Sequence, residues 1–226
     1  MDLLQRVLYR DGLMLVIDKP TGWAVHGPTQ RSKNLEILYD SLRFGLPRSP
    51  SLAHRLDQGT SGCLVLGRHP KALRRLQHLF AQHKVEKKYW ALVQGRPVEE
   101  EGCVDQPLLK VVSPDPGVTM AVHPEGQPAV TYYRLLGQIE DVSWLELRPV
   151  TGRTHQLRLH CRFLGCPIIG DHRYGTNPSG QLCLHARQVI VPLYPKRLPI
   201  MAIAPPPSHM KKWLDFVPTD TGDREP

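Results

Sequence analysis

Proline and glycine cut this chain into short pieces. Twenty-two prolines and 18 glycines are spread over 226 residues, and they stop nearly every apolar run within a few positions. Proline removes a backbone donor and fixes φ, and glycine costs order wherever it is not needed for a turn. Long helices and long strands are therefore both disfavoured. The runs that survive are mostly apolar and β-branched. Gly12–Lys19, Gly62–Gly67 and Lys88–Gln94 predict strands, and Val130–Leu136 with Ser143–Arg148 predicts a hairpin around Glu140-Asp141. Residues 107–128 predict strands joined by long loops, and 182–204 predict two strands split by Pro192, Pro195 and Pro199. Helical spacing is rarer. Leu35, Leu38 and Leu42 fit it. So do Leu73, Leu76, Leu79 and Phe80 behind Pro70, a first-turn proline. A helix at 154–164 with Leu157, Cys161 and Leu164 inward, and a terminal helix at Ser208–Phe216, complete the set. Many strands separated by turns rather than by helices predict an α+β fold. Its sheet is mixed or antiparallel, and it is not doubly wound.

A chain of this length buries about 70% of its unfolded surface, enough for a core without metal or disulfide help. The Leu13–Ile17 run is far below the roughly 18 residues of a membrane span. The start, Met1-Asp2-Leu3-Leu4-Gln5-Arg6, lacks the pattern of a signal peptide. The five cysteines are odd in number and form no CxxC. They fit buried thiols in a reducing cytosol rather than a disulfide framework. Cys183-Leu184-His185 and His160-Cys161 lack the second close pair a structural zinc would need. A cytoplasmic protein with no metal and no membrane contact is expected.

The net charge of +8 is uneven. Residues 1–113 carry 17 basic and 11 acidic side chains, and 114–226 carry 12 and 10. Arg68, Lys71, Arg74, Arg75, Lys84, Lys87 and Lys88 crowd 68–88 against Glu86 alone. Such a cluster suits a polyanion through counterion release. A solvated helix face with no ligand is the plain alternative.

Chemistry concentrates in Ser51–Gly62, which sets His54, Arg55, Asp57, Thr60 and Ser61 just before a predicted strand. Asp57 beside Arg55 and two hydroxyls is suited to stay ionised and act as nucleophile or base. Equally, it could close an Asx turn onto backbone amides near Gly59. No Gly-rich phosphate loop, dinucleotide fingerprint, HExxH or zinc spacing occurs.

His54-Arg55-Leu56-Asp57-x-x-Thr60-Ser61-Gly62 resembles the signature of the RluA-type pseudouridine synthases. Three further blocks follow the family's order. They are Lys19-Pro20-Thr21-Gly22 with Val25-His26, then Lys87-Lys88-Tyr89 with Ala91-Leu92-Val93. The last is Gly152-Arg153-Thr154-His155-Gln156-Leu157-Arg158-Leu159-His160, running on to Gly165-x-Pro167-Ile168-x-Gly170-Asp171-x-x-Tyr174-Gly175. One position departs: Asp18 stands where the family usually has Asn before Lys-Pro. The resemblance covers about residues 8–207. It implies the pseudouridine synthase catalytic fold, a central mixed sheet with flanking helices and a cleft. The reaction isomerises uridine within RNA and needs no cofactor.

The resemblance also implies roles. Asp57 is the catalytic aspartate, Arg158 its ion-pair partner, and Tyr89 the tyrosine that meets the uracil. Arg55 enters the RNA stack where the target base leaves it, because C1′ and C5 cannot be reached in a paired base. Lys19 and Arg153 touch phosphate or support the cleft, and Arg74 and Arg75 belong to the basic track. His54, Thr60 and Ser61 shape the loop. His155, Gln156 and His160 are expected to be packed or hydrogen-bonded rather than reactive. One catalytic domain is expected over 1–217, with a disordered 218–226 tail and no N-terminal RNA-binding extension. The expected partner is a ribosomal or transfer RNA stem-loop, met by a monomer without an obligate protein partner.

Three rivals have their own signatures. A serine hydrolase would use Ser61, but Gly59-Thr60-Ser61-Gly62-Cys63 lacks the second glycine of GxSxG. A silent RNA-binding protein on the same fold is opposed by the presence of Asp57, Tyr89 and Arg158. An enzyme for a free nucleoside is opposed by the basic cluster at 68–88.

Overall fold

The computed structural model describes residues 1–27, 34–112, 118–176 and 179–214. The expected tail at 218–226 lies outside them. In chain order the strands are β1 (Val7–Arg10), β2 (Met14–Lys19), β3 (Ser51–Leu52), β4 (Ser61–Gly67), β5 (Glu86–Gln94), β6 (Glu101–Asp105), β7 (Leu108–Val111), β8 (Thr119–Val122), β9 (Val130–Ile139), β10 (Val142–Pro149), β11 (Leu184–Val191) and β12 (Ile200–Ile203). The α-helices are α1 (Pro70–Ala81), α2 (Gln156–Phe163) and α3 (Ser208–Leu214). The chain divides into two compact units: Met1–Lys88 with His185–Pro207, and Tyr89–Leu184 with Ser208–Pro226.

In the first unit β2 pairs antiparallel with β1 and β4, β3 with β4, and β12 with β11, whereas β11 runs parallel to β4. This is a mixed sheet. Strands β2 and β4 are almost wholly buried, which is why both read as continuous apolar runs rather than alternating ones. Two close approaches need glycine. A Cβ at Gly62, whose φ is +101°, would meet the Ala186 carbonyl oxygen at 2.3 Å. One at Gly67 would meet the Leu73 Cα at 2.7 Å, where α1 crosses β4. Helix α1 starts at Pro70, with the His69 side chain accepting from the Ala72 amide. It buries Ala72 and Leu76 and leaves Lys71, Arg74, Arg75 and His78 exposed. The helical spacing near Leu35 resolves into a 3-10 segment, Glu36–Leu42, that buries Tyr39 and Leu42.

In the second unit β5, β10, β9 and β6 pair antiparallel in that order, and β7 and β8 form a separate hairpin. The β9–β10 turn falls at Glu140, in the left-handed region at φ 50°. Trp90 and Trp144 pack edge to face, with ring centroids 4.6 Å apart. Helix α2 is two residues shorter at its start than its periodicity predicts, because His155 takes φ 57° and begins it. Gln156 is buried there. Its amide donates to the Val130 carbonyl and the Thr131 hydroxyl, and its oxygen accepts from the Thr151 hydroxyl and the Arg153 amide. His160 meets the Thr131 hydroxyl and the Gln106 carbonyl.

Candidate active site

The Asp57 loop is built by alternation. His54 and Leu56 turn inward, while Arg55 is exposed and Asp57 is half-buried. The His54 Nε2 accepts the Val65 amide at 3.0 Å, and its ring stacks on Phe80 at 4.4 Å. An imidazole that accepts through Nε2 must stay unprotonated there. Burial and the positive charge of Lys87 push its pKa down to about 3. After Asp57 the loop closes with the Thr60 amide on the Asp57 carbonyl at 3.1 Å, and Thr60 is buried.

A second loop, Lys19–Gly22, is laced to this one. The Gly22 amide donates to the Gln58 carbonyl at 2.9 Å, the Gln58 side-chain amide returns to the Gly22 carbonyl, and the Thr21 hydroxyl donates to the Gly59 carbonyl at 2.7 Å. Lys19 completes the lacing: its Nζ donates to the Pro20 and Gln58 carbonyls, both at 3.0 Å. The expectation that Lys19 touches phosphate is corrected here. The side chain has no solvent exposure and its donors serve backbone oxygens. Burial lowers the ammonium pKa to about 7 against the opposing pull of Asp57 and Asp18. Asp18, the departure from the family pattern, pairs with Arg6 at 2.8 Å.

Ser61 does meet a histidine, its hydroxyl lying 2.9 Å from His185 Nδ1. His185 Nε2 faces the Ala204 carbonyl at 3.1 Å, and in the tautomer that donates there Nδ1 takes the Ser61 hydroxyl proton as acceptor. Ser61 is 2% exposed and His185 not at all, so no substrate carbonyl reaches that hydroxyl. The geometry is that of a packed polar pair and removes the hydrolase reading.

The second unit carries the remaining candidates. Tyr89 lies on β5 opposite Leu147 of β10 and is 9% exposed. Arg153 is half-buried, with its Nε on the Pro128 carbonyl at 3.1 Å. Arg158 projects from α2 into a pocket of partners rather than along a solvated row with Arg162. It grips Asp171 with two donors, Nε at 2.8 Å and Nη2 at 2.6 Å. Asp171 is a partner that sequence reasoning misses, although the Gly170-Asp171-x-x-Tyr174-Gly175 string is the signal that marks it. Among the described residues no group of three or more His, Cys, Asp or Glu side chains is disposed to hold a metal ion.

These elements define a class of protein. The chain belongs to the RNA pseudouridylate synthase family, whose model matches residues 13–163. It is 44% identical over 209 residues to an uncharacterised RNA pseudouridine synthase of Zymomonas mobilis, covering 91% of this chain and 95% of that one. It is 36% identical over 222 residues to ribosomal large subunit pseudouridine synthase C of Vibrio cholerae, covering 92% of this chain and 68% of that one. A mitochondrial RNA pseudouridine synthase 3 of Oryza sativa is 39% identical over 197 residues, 76% of this chain but 42% of that longer one. The fold is similar to that of human RNA pseudouridylate synthase domain containing 4, with a TM-score of 0.79 and 31% identity over 94% of this chain and 93% of that chain. Family and fold together support isomerisation of uridine in RNA. No helix among the described residues is long and apolar enough to cross a membrane.

Proposed function

We propose that this chain converts uridines in ribosomal RNA to pseudouridine, with Asp57, Tyr89 and Arg158 as its reacting set. The N1–C1′ bond of a flipped uridine breaks, the uracil turns, and C5 bonds to C1′. The C5 proton leaves and N1 gains one, so atoms balance without a co-reactant. Asp57 supplies the negative charge that meets C1′ as N1 departs, in the manner of carboxylates that cleave glycosidic bonds. Arg158 is the cation that the family resemblance assigns to serve that carboxylate. Tyr89 stacks on the uracil and assists removal of the C5 proton. Arg55, exposed beside Asp57, enters the gap left by the flipped base, and Arg74, Arg75 and Arg153 hold the RNA backbone.

The observation that carries this reading is the Asp57 loop itself. Its inward residues and its carbonyls are committed to packing and to the Lys19–Gly22 loop, while Arg55 and Asp57 stay accessible. Such a loop is built to present one carboxylate. The large ribosomal subunit is favoured as target because relatives from Vibrio cholerae and Rickettsia conorii carry it in their names. We propose further that the protein acts as a monomer in the cytoplasm.

Carbodiimide mapping of ribosomal and transfer RNA from cells with and without the gene tests the proposal. At least one large-subunit uridine loses its carbodiimide adduct in the deletion strain. Unchanged ribosomal RNA with a changed transfer RNA would move the target, and no change in either would refute the activity.

A further inference from the structure

Arg158 is held more elaborately than an ion pair requires. Asp171 is 1% exposed and the Arg158 side chain 12%. Besides Arg158, Asp171 Oδ1 accepts the Arg173 and Tyr174 amides, both at 3.0 Å. Burial alone would raise this carboxyl, but the Arg158 bonds and charge and the two amides outweigh it and hold the pKa below the usual value. The Tyr174 ring lies 4.9 Å from the guanidinium carbon, a cation–π shelf under it. The Tyr174 hydroxyl accepts the Met120 amide at 3.1 Å and meets His155 Nδ1 at 2.7 Å. The Tyr174–His155 pair shares one proton, carried by the hydroxyl or by Nδ1 according to the His155 tautomer. His155 itself sits in the left-handed region at φ 57°, a strained state for a side chain other than glycine.

The turn bearing Asp171 is equally committed. At Gly170, φ +74°, an added Cβ would lie 2.1 Å from the Gln181 carbonyl oxygen, and at Gly175 2.5 Å from that of Asp171. Both glycines are needed for the turn to close where it does.

We propose that Asp171 is a positioning residue for the isomerisation and that Tyr174, braced by His155, is the shelf that fixes the guanidinium plane. Asp171 takes the Nε–Nη2 edge of Arg158, which sets the direction of the rest of the group. A planar guanidinium gripped on one edge and stacked on one face keeps little freedom to swing. Asp171 touches no reacting atom; it acts through Arg158. This rests on the role given to Arg158 above.

The test is a double-mutant cycle of Asp171→Asn and Arg158→Lys. Pseudouridine formation is measured on ribosomal RNA from cells lacking the gene. Asp171→Asn is expected to lower kcat about 100-fold, the order of loss for a displaced catalytic group, while KM stays within about threefold. On the Arg158→Lys background the same change is expected to cost less than about threefold, since the group it positions is already gone. A purely structural Asp171 would multiply in full on both backgrounds, and that result would overturn the proposal, as would wild-type kcat in Asp171→Asn. Cooperative thermal melting checks the fold. Should Asp171→Asn fail to fold, Asp171→Glu keeps the charge but displaces the acceptors by a methylene. It is then expected to lose at least about tenfold in kcat, and full kcat would overturn the positioning role. A wild-type protein inactive on RNA would sink the isomerase reading and this proposal together, whereas an active wild type with additive mutants sinks this proposal alone.

Discussion

Lys19 shows how a residue type can mislead. A lysine in a basic RNA enzyme suggests phosphate, yet this one has no exposure and laces two loops. A neutral amine has two N–H donors, and Lys19 makes two such bonds. The sign of its pH effect follows. Its folded pKa, about 7, lies below the unfolded value of about 10.5. Between those values the unfolded chain binds more protons, so stability contributed through Lys19 rises with pH. Below about 7 the cost of burying the charged form is fully present. Lys19→Met is expected to destabilise by about 1–3 kcal/mol at pH 9, by taking the Nζ donor from the Pro20 and Gln58 carbonyls, the second of which keeps only the Gly22 amide. The wild-type advantage is expected to grow from about pH 7 to about pH 10. Urea unfolding of both proteins across that range checks it, and a flat difference would mean that Lys19 stays charged in the fold.

At the scale of elements, the strands and α1 were legible because one force dominates each. Strands β2 and β4 are buried on both faces and read as unbroken apolar runs. Helix α1 has a first-turn proline and one apolar stripe. The 3-10 segment at Glu36–Leu42 was not legible, since its spacing of apolar residues also fits an α-helix. The start of α2 was missed because it depends on a left-handed His155, whose ring meets the Tyr174 hydroxyl from a distant point in the chain. The exposed basic face of α1 carries its own prediction. Reversing charge at Arg74 and Arg75 is expected to weaken RNA binding and to flatten the plot of log affinity against log salt. The slope falls by about 0.7–0.9 for each phosphate no longer neutralised. Binding titrations at several salt concentrations measure it. An unchanged slope would return this face to simple solvation.

Across the whole molecule, the α+β class followed from strand count and turn chemistry, and the family from four ordered motifs. What the motifs left open was why their residues travel together. The lacing of Lys19–Gly22 to Gln58 and Gly59 answers that for the first two blocks. The grip of Asp171 on Arg158 answers it for the two halves of the last block. Neither was visible beforehand, because each joins residues through buried polar bonds that leave no periodic trace in sequence. The division into two compact units was equally hidden, since two of its three boundaries fall within β5 and just after the start of β11, and the third at the start of α3.

The central claim is that Asp57 performs the isomerisation. Purified wild-type protein and Asp57→Asn are incubated with ribosomal RNA from cells lacking the gene, and pseudouridine is read by carbodiimide-dependent primer extension. A new stop at one or more uridines is expected with wild type and none with Asp57→Asn, while the variant still binds the RNA with near wild-type affinity. Pseudouridine formed at wild-type rate by Asp57→Asn would contradict the claim.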